Sequence, residues 1–244
     1  MFKELAVACL LLLLLPCSFA TIYLIEPIDQ RIEPNDTVAF GRIAKGETLR
    51  VIVRKKSGLA AEWDSIAVNE QLLPDGWGFK EVKTDKTLIA ELSVPSNAPI
   101  STQRLEFTLS NKSQPLFAET FHANLSVRDN LLTVTIENLN QETVAGEIAR
   151  FKLIVNNDSI AGHSLSVSSD LPPYWFSPIV INVKPLATTE VDLNVGTLTY
   201  GQRSFSFTVA SLQNDARSDF PAFLSIRPTL RGKYFSSLFG FPFF

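Results

Sequence analysis

Nothing in this sequence restricts its fold as strongly as the fact that it repeats itself. Gly46-Glu47 returns one hundred positions later as Gly146-Glu147. The run Leu49, Val51, Val53, interleaved with Arg50 and Arg54, returns as Phe151, Leu153, Val155, interleaved with Arg150 and Lys152. Ser65-Ile66-Ala67-Val68 is answered by Ser164-Leu165-Ser166-Val167, and LPDGW, ending at Trp77, by LPPYW, ending at Trp175. Ala90, Leu92, Val94 then match Val191, Leu193, Val195, and Leu105, Phe107, Leu109 match Phe205, Phe207, Val209. Phe121-x-Ala123-x-Leu125-Ser126-Val127 closes the first unit as Phe220-x-Ala222-x-Leu224-Ser225-Ile226 closes the second. Matches in one order, with an offset that barely drifts, indicate a duplicated domain.

Each unit is a succession of short period-two runs separated by Gly, Pro, Asn, Asp and Ser, with no sustained helical periodicity. In such a run alternate side chains face opposite ways, so Phe205, Phe207 and Val209 turn to a core while Ser204, Ser206 and Thr208 turn to water. The expected fold is all-β: two tandem immunoglobulin-like β-sandwiches, over residues 21–128 and 129–228, after an N-terminal segment 1–20 and before a tail 229–244. Only Arg128, Asp129 and Asn130 separate the last strand of one unit from the first of the next, which predicts a stiff end-to-end pair. Asp129 itself reads as a turn residue, since a lone carboxylate is far short of a calcium site.

Residues 1–20 place Lys3 before an apolar run from Leu5 to Pro16 that ends on Ser18 and Ala20, the order of a secretory signal peptide cleaved after Ala20. Apolar character continues to Ile25, so an uncleaved membrane anchor is the other reading. Both place the remainder outside the cytoplasm, secreted or held on the outer face of the membrane. Cys9 and Cys17 lie inside this segment, so residues 21–244 hold no thiol for a disulfide or a cysteine-bound metal. Losing Lys3 and Glu4 together would leave the net charge of −3 unchanged. That balance argues against a nucleic-acid partner, which requires a concentrated basic face. The nearest basic run, Arg54-Lys55-Lys56, reads as a solvated strand end.

The apolar-Pro-x-x-Trp turns at Trp77 and Trp175, the proline-rich strand exit LSVPSNAP from Leu92 to Pro99, and the terminal F-T-[LV] strands resemble the alpha-galactosidase-associated, or NPCBM-associated, immunoglobulin-like domain of bacterial and archaeal surface proteins. The resemblance covers both units, although Val195 to Tyr200 in the second lacks the proline exit. It implies surface-exposed scaffold modules with no catalytic residues of their own.

The residues agree with an absence of chemistry. His122 and His163 lie on non-matching strands and offer no metal pair; His122 is expected at the surface. There is no G-x-S-x-G elbow and no phosphate-cradling glycine loop, and the carboxylates are scattered. No catalytic, cofactor-binding or metal-ligating residue is therefore expected, and no cofactor. Trp77 and Trp175, equivalent in the two units, read as packing residues. Trp63 has no counterpart and is the candidate ligand contact, an indole able to stack on a sugar ring. Asn35, Asn111, Asn124 and Asn157 open glycosylation sequons. The tail RGKYFSSLFGFPFF is too short to cross a bilayer, but Tyr234, Phe235, Leu238, Phe239, Phe241, Phe243 and Phe244 suit an interfacial anchor or a docking peptide for a partner groove.

The expectation from sequence is thus an exported, non-enzymatic cell-envelope structural or interaction protein. Its partner would be an envelope protein or glycan, with a membrane surface engaged through the anchor or the tail. The alternative is a carbohydrate-binding accessory protein.

Overall fold

A computed structural model describes residues 21–57, 61–111, 118–214 and 216–229. The signal or anchor segment 1–20 and the aromatic tail from Tyr234 to Phe244 lie outside the described residues; among the described residues there is no helix.

The first half contributes β1 (Ile22–Glu26), β2 (Gln30–Ile32), β3 (Thr37–Ala44), β4 (Thr48–Arg54), β5 (Lys56–Ser57), β6 (Ala61–Glu62), β7 (Ser65–Val68), β8 (Gly78–Lys83), β9 (Thr87–Ser93), β10 (Thr102–Ser110) and β11 (Glu119–Arg128). They form one sheet in the order β2-β1-β4-β9-β8, a second in the order β3-β11-β10-β7, and a small β5-β6 ribbon. The second half contributes β12 (Leu132–Glu137), β13 (Asn140–Val144), β14 (Ile148–Asn157), β15 (His163–Ser169), β16 (Ile179–Val183), β17 (Thr188–Gly196), β18 (Gly201–Ser211) and β19 (Arg217–Arg227). Its sheets run β12-β14-β17 and β13-β19-β18-β15-β16. Among the described residues no sheet mixes strands of the two halves. Each half is a sandwich, antiparallel except where β3 joins β11 and β13 joins β19 in parallel, the closing-strand arrangement of immunoglobulin-like folds.

The repeat holds at the level of packing. Leu49, Val51 and Val53 on β4 and their counterparts Phe151, Leu153 and Val155 on β14 are all fully buried, each set in its own core. Burying one such side chain stabilises by roughly 1.5–3 kcal/mol, so the alternating runs alone give each module a substantial apolar core. The LPxxW turns behave alike: Trp77 N–H donates to the Pro74 carbonyl and Trp175 N–H to that of Pro172, and both indoles are buried. The cores differ in their rings. Phe107 stacks on Phe121 at 5.0 Å in the first, whereas Phe151, Phe176 and Phe205 meet Phe207 edge to face in the second.

One strand changes sides. After Trp77, β8 pairs with β9, but after Trp175 the corresponding β16 crosses to the other sheet and pairs with β15. The two modules are therefore variants of one sandwich rather than identical copies.

Strand direction fixes the two ends. β4 runs from Thr48 at the second module's side to Arg54 at the remote end, and β1 lies antiparallel to it, so the chain enters the first sandwich at that remote end. β19 begins at Arg217 beside the joint and ends with Arg227 paired to Val144, so the chain leaves at the opposite end of the second sandwich.

Candidate functional site: the joint between the modules

Five polar or charged residues are buried among the described residues: Glu47, Asn157, Ser159, His163 and Thr197. The first four meet at the boundary between the modules. Buried polar side chains are costly unless they are partnered, so such a cluster marks the place that is most specifically built.

The cluster starts from the turn between β14 and β15. The Asn157 side chain holds that turn together, its Nδ2 donating to the carbonyls of Ala161 (2.8 Å) and Lys184 (3.0 Å) while its Oδ1 accepts from Ser159 N–H (2.9 Å). Ser159 Oγ then accepts from Ala161 N–H at 3.1 Å. So braced, the turn projects into the first module. Ile160 N–H donates to the Arg42 carbonyl at 2.9 Å, and the Ile160 and Ala161 side chains pack with the first module's core. Gly41, at φ +119°, receives Ile160: a Cβ on it would stand 3.0 Å from Ile160 Cγ2.

Glu47 is the receiving group. Its Oε2 accepts from Ala44 N–H (2.9 Å) and from Ser159 Oγ, and its Oε1 lies 2.7 Å from His163 Nε2. That last contact is an ion-pair approach without the alignment of a hydrogen bond, and His163 Nδ1 has no hydrogen-bond partner among the described residues. Glu47 is 2% and His163 3% exposed. At the rim, Lys45 Nζ reaches Asp129 Oδ1 at 2.6 Å, and Asp158 N–H donates to the Leu131 carbonyl at 2.8 Å. A cleft of about 310 Å³ opens alongside, lined by Asp129, Asn130, Asn214, Arg217 and the edges of Glu47 and His163.

Serine, glutamate and histidine together invite comparison with a nucleophilic triad, but the connectivity is wrong. The serine hydroxyl is bonded to the carboxylate and not to the imidazole, and Ser159 is wholly buried. A triad needs an accessible hydroxyl next to the general base. The arrangement clamps two domains together.

Several sequence expectations are corrected here. Trp63 is 1% exposed and belongs to the first module's core, with its backbone N–H on the Lys55 carbonyl, so it presents no face to a ligand. Asn157 is 1% exposed with its amide nitrogen committed to two carbonyls, and its sequon partner Ser159 is fully buried, so this sequon is structural. Asn35 and Asn124 are exposed, and Asn111 is half-buried with its amide nitrogen donating to the Glu62 carbonyl. His122 is half-buried beside Glu106 rather than fully at the surface. Asp129, expected as a turn residue, does stand exposed at a bend, and it also ties the linker to Lys45. Sequence reasoning missed Glu47 and His163. They are 116 positions apart, and the repeat pairs Glu47 with Glu147, which is exposed.

No family model matches the chain. No curated protein matches it either. Among solved structures it is similar to a chimeric titin Z1Z2 protein, at 14% identity over 86% of this chain and 98% of that one, with a TM-score of 0.44. It is similar to the fibronectin(III)-like modules of Clostridium thermocellum CbhA, at 12% identity over 85% and 94% of the chains, TM-score 0.33. It is also similar to the D00-D0 domain of intimin, at 11% identity over 83% and 98%, TM-score 0.29.

Proposed function

We propose that this chain is an exported, non-enzymatic structural or interaction protein of the cell envelope that presents two immunoglobulin-like modules as one stiff unit. The observation that carries the reading is the joint itself. Four of the five buried polar residues among the described residues, and two apolar residues, Ile160 and Ala161, packed into the neighbouring core, are spent on fixing one module against the other. Such a joint would serve to set a distance or a direction. Export rests on the apolar order of residues 1–20, and the finer likeness to alpha-galactosidase-associated domains on the LPDGW and LPPYW turns. The entry and exit of the chain at opposite ends assign different tasks to the two terminal segments. An anchor at residues 1–20 would hold the first module to the membrane, and the aromatic residues from Tyr234 to Phe244 would then be offered away from it to an envelope protein. The carbohydrate-binding alternative loses its main support with the burial of Trp63.

Two measurements test this. Fractionation of cells expressing the full chain, with N-terminal sequencing of the product, is expected to find it outside the cytoplasm; a cytoplasmic product with Met1 retained would refute export. Spin labels on Glu70→Cys and Ser177→Cys, both exposed, with Cys9 and Cys17 replaced by serine, are expected to give a single narrow distance distribution. A broad one would refute the stiff unit.

A further inference from the structure

The fold brings a lysine from a distant turn to the basic run that the sequence alone left as a solvated strand end. Lys55 N–H donates to the Lys86 carbonyl at 3.0 Å, so the β8–β9 turn lies against the end of β4. Arg54, Lys55, Lys56 and Lys86 together line a recess of about 670 Å³ with Ile25, Thr87 and two acids, Glu62 and Asp85. The four cations outnumber the two acids. Among the described residues none of the three lysines has a carboxylate within ion-pair distance, and the Arg54 guanidinium sits over the Tyr23 ring at 4.4 Å. Cations grouped at one edge, with Arg54, Lys56 and Lys86 exposed and Lys55 half-buried, favour an anion there.

The location identifies which anion. Leu24 pairs with Val53, so continuing the antiparallel register carries the chain back past Arg54 and alongside Lys55. Residues 1–20, whose apolar run from Leu5 to Pro16 is suited to a bilayer, therefore join the fold beside this patch. The patch lies at the remote end of β4, away from the joint at Glu47. An apolar segment with cations next to it at the water interface is the arrangement that anionic headgroups attract.

We infer that the Arg54, Lys55, Lys56 and Lys86 end of the first module is a membrane-facing surface that rests on anionic lipid headgroups, with the joint directing the second module away from the bilayer. This rests on the envelope reading above and extends it by fixing orientation.

The test uses the full chain reconstituted in vesicles of phosphatidylglycerol and phosphatidylcholine in equal parts, compared with phosphatidylcholine alone. Lysines are labelled from the aqueous side with an amine-reactive reagent and read by mass spectrometry. Lys55, Lys56 and Lys86 are expected to label several-fold more slowly on the anionic vesicles, and the protection should fade at high salt, because screening shortens electrostatic reach. Lys152 and Lys184 in the second module should label equally on both. Equal labelling on both vesicles overturns the inference, as does protection confined to Lys233, which would put the tail end on the bilayer. Protection by inorganic phosphate without vesicles overturns it too, because the recess would then be a small-anion site. A cytoplasmic product in the fractionation experiment defeats the envelope reading itself while leaving these vesicle results to stand or fall separately.

Discussion

Glu47 Oε1 and His163 Nε2 approach to 2.7 Å across the boundary between two sandwiches, with both side chains almost wholly buried. Desolvation makes such a pair an inefficient source of stability but a demanding condition on geometry, because either partner alone is left polar and buried. Glu47→Ala or His163→Ala is expected to cost about 3–5 kcal/mol and to broaden the inter-module distance distribution. The two changes together should cost clearly less than their sum. A double-mutant cycle by urea denaturation measures this, and additive costs would mean that the contact contributes nothing of its own.

Gly41 concerns the apolar half of the same joint. At φ +119° no side chain is comfortable, and a methyl there would press on Ile160 at 3.0 Å. Gly41→Ala should destabilise the chain by about 1–3 kcal/mol and push the Asn157–His163 turn outward. Ile160→Ala, which removes the plug without straining Gly41, should cost about 2 kcal/mol or more. The thermal midpoint and the spin-label distance read both. A Gly41→Ala variant with both unchanged would mean that the close approach is not maintained.

The four sequons should separate by burial. In a glycosylating host, mass spectrometry should find sugar at Asn35 or Asn124, where the side chains reach solvent, and none at Asn157. Asn157→Ala should cost about 2–3 kcal/mol by stranding two carbonyls and the Ser159 N–H. Asn124→Ala, on the outer face of β11, should fall within about 0.5 kcal/mol of the parent. Occupancy at Asn157 would contradict the turn described above.

The strands were legible because alternation is local. Leu49, Val51 and Val53 declare a buried face within five residues, and the second copy repeats the statement. Even the tryptophans at LPDGW and LPPYW could be placed in packing, since the Pro-to-Trp hydrogen bond lies within the motif. What was not legible depends on contacts between distant parts of the chain. Glu47 and Glu147 look equivalent in sequence, and only the presence of a second module on one and not the other buries the first and leaves the second in water. Trp63 looked like a surface residue because it lacks a counterpart. Yet it sits where the β5-β6 ribbon leads into β7 and folds inward on the first core, an asymmetry the repeat cannot signal. The exchange of β8 and β16 between sheets is likewise decided by which edge each strand meets, not by its own alternation.

Glu81 provides a test of how one sandwich is closed at its edge. It stands on β8, at the edge of one sheet, and its Oε1 accepts from Ser65 Oγ (3.0 Å) and Ile66 N–H (2.8 Å) on β7, at the edge of the other. Lys83 Nζ lies 3.2 Å from Oε2. Partial burial pushes this carboxyl towards protonation, but the Ile66 N–H, the Ser65 hydroxyl and Lys83 together outweigh it and hold the group below its ordinary value. A carboxyl with a folded-state pKa below its unfolded-state value stabilises the fold at pH values above the latter, roughly 4.3, and that contribution is lost as pH falls through the folded-state value. Glu81→Gln should therefore be less stable than the parent at neutral pH, with the gap between their urea midpoints narrowing as pH is lowered below about 4. A gap that stays constant across that range would show that the amide loses packing or geometry only, and that the charge on Glu81 does not help to hold β7 to β8.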